Sequence, residues 1–280
     1  METTLHRQLK DYFRQSDSQL EVRLGRYRID VVNGNRLVEI QRSGLASIRA
    51  KIQKLLEDGH IVDVVKPLIR RKRLIKLDRI DGRQVDGRWS PKKGSALSVF
   101  DELLYFTKVF PHPNLKLITP LIDIEEIRYP GQGKRRRRRK NAFLVKDQKI
   151  LEMGEMVSYS TVRDLQKLLP SDLPKKFDTA ELAAAANIPR WQAQQIAYVL
   201  RKTSAAIETG KRGNAIVCRL ATEKESDRQL SLKRPKRKPK CKPGQTLLDG
   251  KTRAGKTAAP PKPKRRKTTI RKPSKATLGS

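Results

Sequence analysis

Apolar and polar residues alternate through residues 26–41, RYRIDVVNGNRLVEIQ, with Tyr27, Ile29 and Val31 on one parity and Arg26, Arg28 and Asp30 on the other. Beyond Asn33-Gly34-Asn35, Leu37, Glu39 and Gln41 alternate with Val38 and Ile40. A period of two marks strands, and Asn-Gly-Asn tolerates the positive φ of a tight turn, so the stretch predicts a β-hairpin. With Gly34-Asn35 as the loop, Asn33 pairs with Arg36 and Asp30 faces Glu39. With Asn33-Gly34 as the loop the register moves, but the parity does not. Either way the pattern puts Ile29, Val31, Val38 and Ile40 on a buried side and Asp30, Glu39 and Gln41 on the other. Cross-strand neighbours lie ~5 Å apart, so two carboxylates there can converge on one divalent cation. Hard cations such as Mg²⁺ take oxygen ligands of this kind and keep several waters. A solvated strand face shows the same residues, so the neighbouring elements decide what the pair means.

Those elements have a definite order. Residues 2–14 carry Leu5, Leu9, Tyr12 and Phe13 at helical spacing and predict an amphipathic helix, with Glu2, His6 and Leu9 near one another. Residues 20–24 predict a strand, in which Glu21 reads as exposed. Gly44 opens a second helix to about Glu57, with Ile48, Ile52, Leu55 and Leu56 buried and Lys51 beside that stripe. Residues 60–68, HIVDVVKPL, are almost all apolar, as expected of a strand covered on both faces.

Helix, strand, strand, strand, helix, strand, with Asp30 on one strand and Glu39-Ile40-Gln41 on the next, resembles the core of the PD-(D/E)XK nuclease superfamily. The resemblance covers residues 2–68. It implies that Asp30 and Glu39 are metal-binding carboxylates, that Glu2 is the auxiliary acid of the first helix, and that Mg²⁺ or Mn²⁺ is the cofactor. Gln41 stands where the superfamily usually has a lysine that orients water and stabilises charge on the phosphate. Some active members carry Gln there, and in others a lysine of the following helix substitutes; Lys51 is that candidate. The catalytic set implied is therefore Glu2, Asp30, Glu39, Gln41 and Lys51. Such a metal ion lowers the pKa of bound water and offsets charge on the scissile phosphate, and a nearby cation stabilises the same transition state.

Further on, residues 70–95 predict a basic β-hairpin, residues 96–109 a helix, and residues 115–127 a strand. His112, between prolines, reads as a loop residue. Residues 134–140, KRRRRRK, are seven like charges that cannot be buried; Arg135, Arg136, Arg137, Arg138 and Arg139 read as a phosphate-gripping loop without base specificity. Residues 158–220 predict three helices, the second capped by Asp178, and a hairpin around a Gly-rich basic turn. That arrangement resembles a winged-helix domain. It implies DNA contacts from Arg190, Trp191, Gln192 and Gln195 at the start of the third helix, and from Lys211 and Arg212 in the wing.

Composition then narrows the partner. Lys and Arg number 64 against 29 Asp and Glu, a net charge of +35 over 280 residues; a chain this basic meets a polyanion, most often nucleic acid. DNA is the expected partner, with RNA left open and oligomeric state unspecified. No apolar run approaches the ~20 residues of a membrane span, and no signal-peptide core opens the chain. The expected place is the cytoplasm, associated with the nucleoid, or the nucleus for a eukaryotic source. Cys218 and Cys241 are too few for a disulfide scaffold or zinc set, and His6, His60 and His112 lack metal-ligand spacing. Residues 231–280 hold 18 Lys and Arg against Asp249 alone and lack the apolar residues to fold, so disorder is expected from 221 onward.

The fold expected is thus an α/β (α+β) restriction-endonuclease-like core with a mixed sheet flanked by helices (1–68, elaborated over 69–150). A second, small winged-helix domain (157–220) and a disordered basic tail (221–280) follow. The function expected is a metal-dependent endodeoxyribonuclease that binds DNA. The alternative is a catalytically inactive, nuclease-like architectural or regulatory DNA-binding protein.

Overall fold

The computed structural model describes residues 3–131 and 143–233. The chain runs α1 (Thr4–Phe13), β1 (Gln19–Leu24), β2 (Tyr27–Asn33), β3 (Arg36–Ile40), α2 (Arg49–Glu57) and β4 (Ile61–Val65), the element order read from the pattern. Gly34-Asn35 is the hairpin loop, because Asn33 pairs with Arg36 and Val31 with Val38. Gly34 takes a φ of +57° there, which a residue without Cβ adopts at no steric cost.

Then follow β5 (Leu68–Leu77), β6 (Gln84–Trp89), α3 (Val99–Leu103), β7 (Leu115–Pro130) and β8 (Phe143–Tyr159). Both β4 and β5 run parallel to β7 on one register: Val65 faces Ile118 and Leu68 faces Leu121. They form one line, interrupted at Pro67, which has no N–H to give to a ladder. β3 lies along the outer edge of β4 and β6 along the outer edge of β5, while β8 occupies the other edge of β7 antiparallel. The product is an eight-stranded mixed sheet.

Both faces of this sheet are covered. Leu5 and Leu9 of α1 pack with Val31, Val38, Ile40, Val65, Ile122 and Ile124. On the other face Ile52 and Leu55 of α2 and Phe100 and Leu103 of α3 pack with Ile29, Leu37, Val62, Val64 and Leu117. Hence Leu37, Val38, Glu39 and Ile40 are all buried. This corrects the expectation of one buried and one polar side: Glu39 is inside, because α2 covers the face that alternation alone would leave to solvent. Tyr12, read as part of the apolar stripe of α1, is 55% exposed.

The helix expected over 96–109 is regular only through Leu103. Beyond it, three-residue bonds (Phe106 N–H to Leu103 O at 2.8 Å, Val109 N–H to Phe106 O at 2.9 Å) tighten the chain. Those turns keep Phe106, Val109 and Phe110 in the core.

After the sheet come α4 (Val162–Gln166), α5 (Thr179–Ala185), α6 (Arg190–Lys202) and the hairpin β9 (Ala206–Arg212)–β10 (Ala215–Leu220). Asp178 caps α5 as expected, accepting the N–H groups of Ala180 at 2.7 Å and Glu181 at 3.0 Å, while Glu181 accepts the Asp178 N–H. Leu165, Leu182, Ile196, Val199 and Leu200 join the same apolar cluster as Phe100 and Phe106.

Order does not end at 221. α7 (Glu223–Lys233) follows β10, Ser226 is buried and donates to Ser204 O at 3.0 Å, and Arg219 pairs with Glu225 at 2.5 Å. Glu225 accepts the N–H and the hydroxyl of Thr222, each at 2.9 Å, which fastens the start of this helix in an otherwise polar stretch. The tail proper, 234–280, and the basic run 134–140 between β7 and β8 lie outside the described residues. Among the described residues, no helix is long and apolar enough to cross a membrane.

Candidate functional site

The ladder between β2 and β3 ends at Val31–Val38. Continued register would set Ile29 against Ile40, and the Ile40 N–H would then bond Ile29 O. It goes instead to Asp30 Oδ2 at 2.8 Å. Ile29 and Val31, two residues apart, accordingly pack on opposite faces of the sheet, Ile29 with α2 and Val31 with α1. Strict alternation breaks at Asp30, and the break leaves two carboxylates at a splayed pair of strands.

Asp30 turns toward α1. Its Oδ2 lies 3.4 Å from His6 Nε2 and its Oδ1 3.7 Å from Lys10 Nζ. Burial pulls its pKa upward, but the His6 hydrogen bond, the Ile40 N–H and the charges of His6 and Lys10 together hold it below the ordinary carboxylate value. Lys10, buried on α1, also pairs with Glu21, which in turn pairs with Arg28. Glu21 adopts φ 56°, a conformation that costs a residue with a Cβ on the order of 1 kcal/mol or more.

Glu39 turns toward α2 and pairs with Lys51, whose ammonium also donates to the Arg28 carbonyl. Burial is the strongest influence on Glu39 and raises its pKa from 4.5 to about 7; Lys51 opposes the rise and the neighbouring Asp30 charge adds to it. One carboxyl is therefore kept ionised and the other takes a proton near neutrality, because their surroundings push the two in opposite directions.

The structure brings together Asp30, Glu39 and Lys51 of the expected set. Gln41 is near in sequence but differently employed: its amide donates to Gly44 O at 3.1 Å and Ser47 Oγ at 2.6 Å, clasping the turn into α2. Glu2 lies outside the described residues. Sequence reasoning missed Lys10 and read Glu21 as exposed. A signal for both existed: a Gly25-Arg26 loop, with Leu24 pairing Tyr27, places Glu21 against Asp30, and Lys10 follows His6 by one helical turn.

Among the described residues, no three His, Cys, Asp or Glu side chains are grouped to hold a metal ion. Asp30 pairs toward α1 and Glu39 toward α2, so a hard cation taking an oxygen from each, with waters completing its shell, requires the two carboxylates to turn toward one another. The proton that Glu39 retains near neutrality is what such a cation would displace.

The expected DNA-facing residues are partly surface-exposed. Arg190 and Trp191 are exposed at the start of α6, Trp191 at 58%, while Gln192 and Gln195 are half-buried. Lys211 is exposed, but Arg212 is engaged by Glu181 at 2.9 Å and Asp178 at 3.5 Å, which ties the β9–β10 turn to α5. Arg135–Arg139 lie outside the described residues.

A family model described as Domain of unknown function (DUF8091) matches residues 3–160, from the start of α1 to the end of β8. A protein of Treponema pallidum (strain Nichols), named Uncharacterized protein, is 36% identical over 183 residues, 65% of this chain and 71% of its own length. No solved structure matches the chain. The matched span holds the sheet with Asp30, Glu39 and Lys51; α4 to α7 follow it.

Proposed function

We propose for this chain, which belongs to the family described as Domain of unknown function (DUF8091), DNA binding coupled to divalent-metal-dependent cleavage of phosphodiester bonds. The observation that carries the reading is the carboxylate pair at the splayed strands, with Asp30 kept ionised and Glu39 lifted to about 7 inside a strongly basic chain. Asp30 and Glu39 would hold Mg²⁺ or Mn²⁺, which when bound acidifies water and offsets charge on a phosphate. Lys51, already between Glu39 and the Arg28 carbonyl, is the cation placed to meet a phosphate oxygen. Helices α4 to α6 with the β9–β10 hairpin have the element order of a winged helix, and exposed Arg190, Trp191 and Lys211 suit contacts with the duplex.

The test is cleavage of supercoiled, branched and single-stranded DNA with Mg²⁺ or Mn²⁺. Activity that is lost in Asp30→Ala and Glu39→Ala supports the proposal. No cleavage of any form, or cleavage indifferent to both substitutions, overturns it.

A second reading is a nuclease-like DNA-binding protein without activity. Two observations favour it: Lys51 and Lys10 already neutralise Glu39 and Asp30, and Gln41 serves the turn into α2. DNA binding with no divalent-dependent cleavage is its signature.

A further inference from the structure

The ribbon β5–β6 and the segment after it form a surface that the carboxylate site does not use. All six residues of β6 are exposed, and its last, Trp89, is 47% exposed. Residues 69–93 carry ten Lys and Arg against three Asp; Arg70, Arg71, Lys72 and Arg73 pair with Asp123, Glu126 and Glu125 of β7, and Arg79, Arg83, Arg88, Lys92 and Lys93 extend the basic stretch past them. A large aromatic standing out of a basic ribbon is not a core residue left over.

It is held in place from behind. The Arg71 guanidinium lies over the Trp89 ring, 4.9 Å from its centroid. Arg71 is in turn fixed by Asp123, 1% exposed, through Nε at 2.8 Å and NH2 at 2.5 Å. Asp123 also takes Arg70 at 2.8 and 2.9 Å, and these arginines hold its pKa down at about 2 against its burial. One face of the indole is therefore backed by a cation that a buried carboxylate immobilises. The chain beyond it is pinned along β5 by Ser90 N–H to Lys72 O at 2.7 Å and Gly94 N–H to Arg70 O at 2.9 Å. A Cβ on Gly94 would come within 2.2 Å of Ile69 O, so this close approach needs glycine.

Strand register relates the ring to the carboxylates. Glu39 pairs with Val64, Val64 with Leu117, and alternation along β7 carries that face through Leu121 to Asp123 and Glu125. Glu125 pairs with Arg73, and Arg73 with Trp89, so Trp89 shares the face of Glu39. Both β3 and β6 border the same edge of the β4–β5 line. Val65, opposite Ile40, pairs with Ile118, and Arg73, opposite Trp89, pairs with Glu125; with one bulged residue in β5, the advance measured on β7 is seven residues, about 23 Å at ~3.3 Å each.

We infer that Trp89 is a stacking platform for an unpaired base, and that the DNA this protein engages includes a single-stranded segment running along residues 69–93 toward Asp30 and Glu39. The inference rests on the DNA reading above and narrows its substrate to DNA with an unpaired strand. Bases in a duplex are stacked on each other and offer no free face; an unpaired base does, and the surrounding lysines and arginines follow its backbone. The commitment to nucleic acid comes from the charge of the ribbon, which an apolar protein partner would not need.

The experiment is fluorescence anisotropy of the full chain with a short dye-labelled single strand and with the matching duplex, at one salt concentration. Trp89→Ala should weaken single-strand binding by about 5- to 100-fold and leave duplex binding within about twofold, while Trp89→Phe retains most of the affinity. In a Trp191→Phe background, the remaining indole fluorescence should be quenched by the single strand. Trp89→Leu, compared with Trp89→Phe, keeps the apolar bulk without the ring and controls for packing. Equal single-strand affinity in Trp89→Ala and wild type, equal losses on both DNA forms, or Leu performing as well as Phe overturns the inference. A matching RNA strand that binds more tightly with the same Trp89 dependence overturns DNA as the occupant. Cleavage that depends on Asp30 and Glu39 but ignores Trp89 overturns this inference alone, whereas failure to bind any DNA overturns the functional reading with it.

Discussion

Glu39→Gln isolates the tension inside the site. The Glu39 side chain is buried, and desolvation is the main reason its pKa stands at about 7 rather than 4.5; Lys51 works against that rise and Asp30 with it. Between those two values the folded chain keeps a proton that the unfolded chain has released. Stability therefore falls as pH rises through this window, and the loss is complete above the folded value. A shift of that size corresponds to about 3 kcal/mol. Glutamine stays neutral at every pH and has nearly the same shape. The variant should match wild type near pH 4.5 and exceed it by about 3 kcal/mol at about pH 8.5. Urea unfolding followed by circular dichroism, in chelator, gives both stabilities from the midpoint and slope. A difference independent of pH, or a less stable variant at high pH, would show that Glu39 is an ordinary structural ion pair. Adding Mg²⁺ at high pH should then narrow the gap by stabilising only the wild type, since a ligand of the folded state adds to its stability.

Three further outcomes follow from the same packing. Asp30→Ala removes the acceptor of the Ile40 N–H and a partner of His6 and Lys10, at a cost of about 1–3 kcal/mol. Because the Asp30 pKa is lowered, that cost should be present above about pH 4 and fade as acid protonates the wild-type group; unfolding curves at two pH values read it. Leu9→Ala opens a cavity where α1 meets the sheet and should cost about 2–5 kcal/mol in thermal or urea unfolding. Truncation after Lys233 removes 17 Lys and Arg against one Asp. It should flatten the dependence of log affinity for DNA on log salt and leave the unfolding midpoint unchanged, whereas truncation after Leu220 should also destabilise, because Ser226 and Glu225 are then lost.

Local pattern alone determined a good deal of this protein. Period-two alternation and Asn33-Gly34-Asn35 define the hairpin and put Asp30 and Glu39 on adjoining strands, while the choice of Gly34-Asn35 as its loop came with the fold. Helical spacing at Leu5 and Leu9, the Asp178 cap and the apolar run 61–65 each name their element from chemistry within a few residues. The excess of Lys and Arg points to a polyanionic partner without any fold.

Tertiary structure decided the rest. Alternation reports which residues share a side, but not what covers it; α2 does, which makes Glu39 a buried group rather than a solvated one. The break of alternation at Asp30 depends on β3 ceasing to pair, and the company of Lys10 and Glu21 depends on α1 and β1 arriving from elsewhere. Gln41 serves the turn into α2 because Ser47 lies within reach of its amide, which its position beside Glu39 and Ile40 does not reveal. Trp89 looked like one more residue of a basic hairpin; only strand register sets it on the face of Glu39 and on the same edge of the β4–β5 line. Spacing along the chain encodes direction and period, whereas burial and partnership arise between segments distant in sequence.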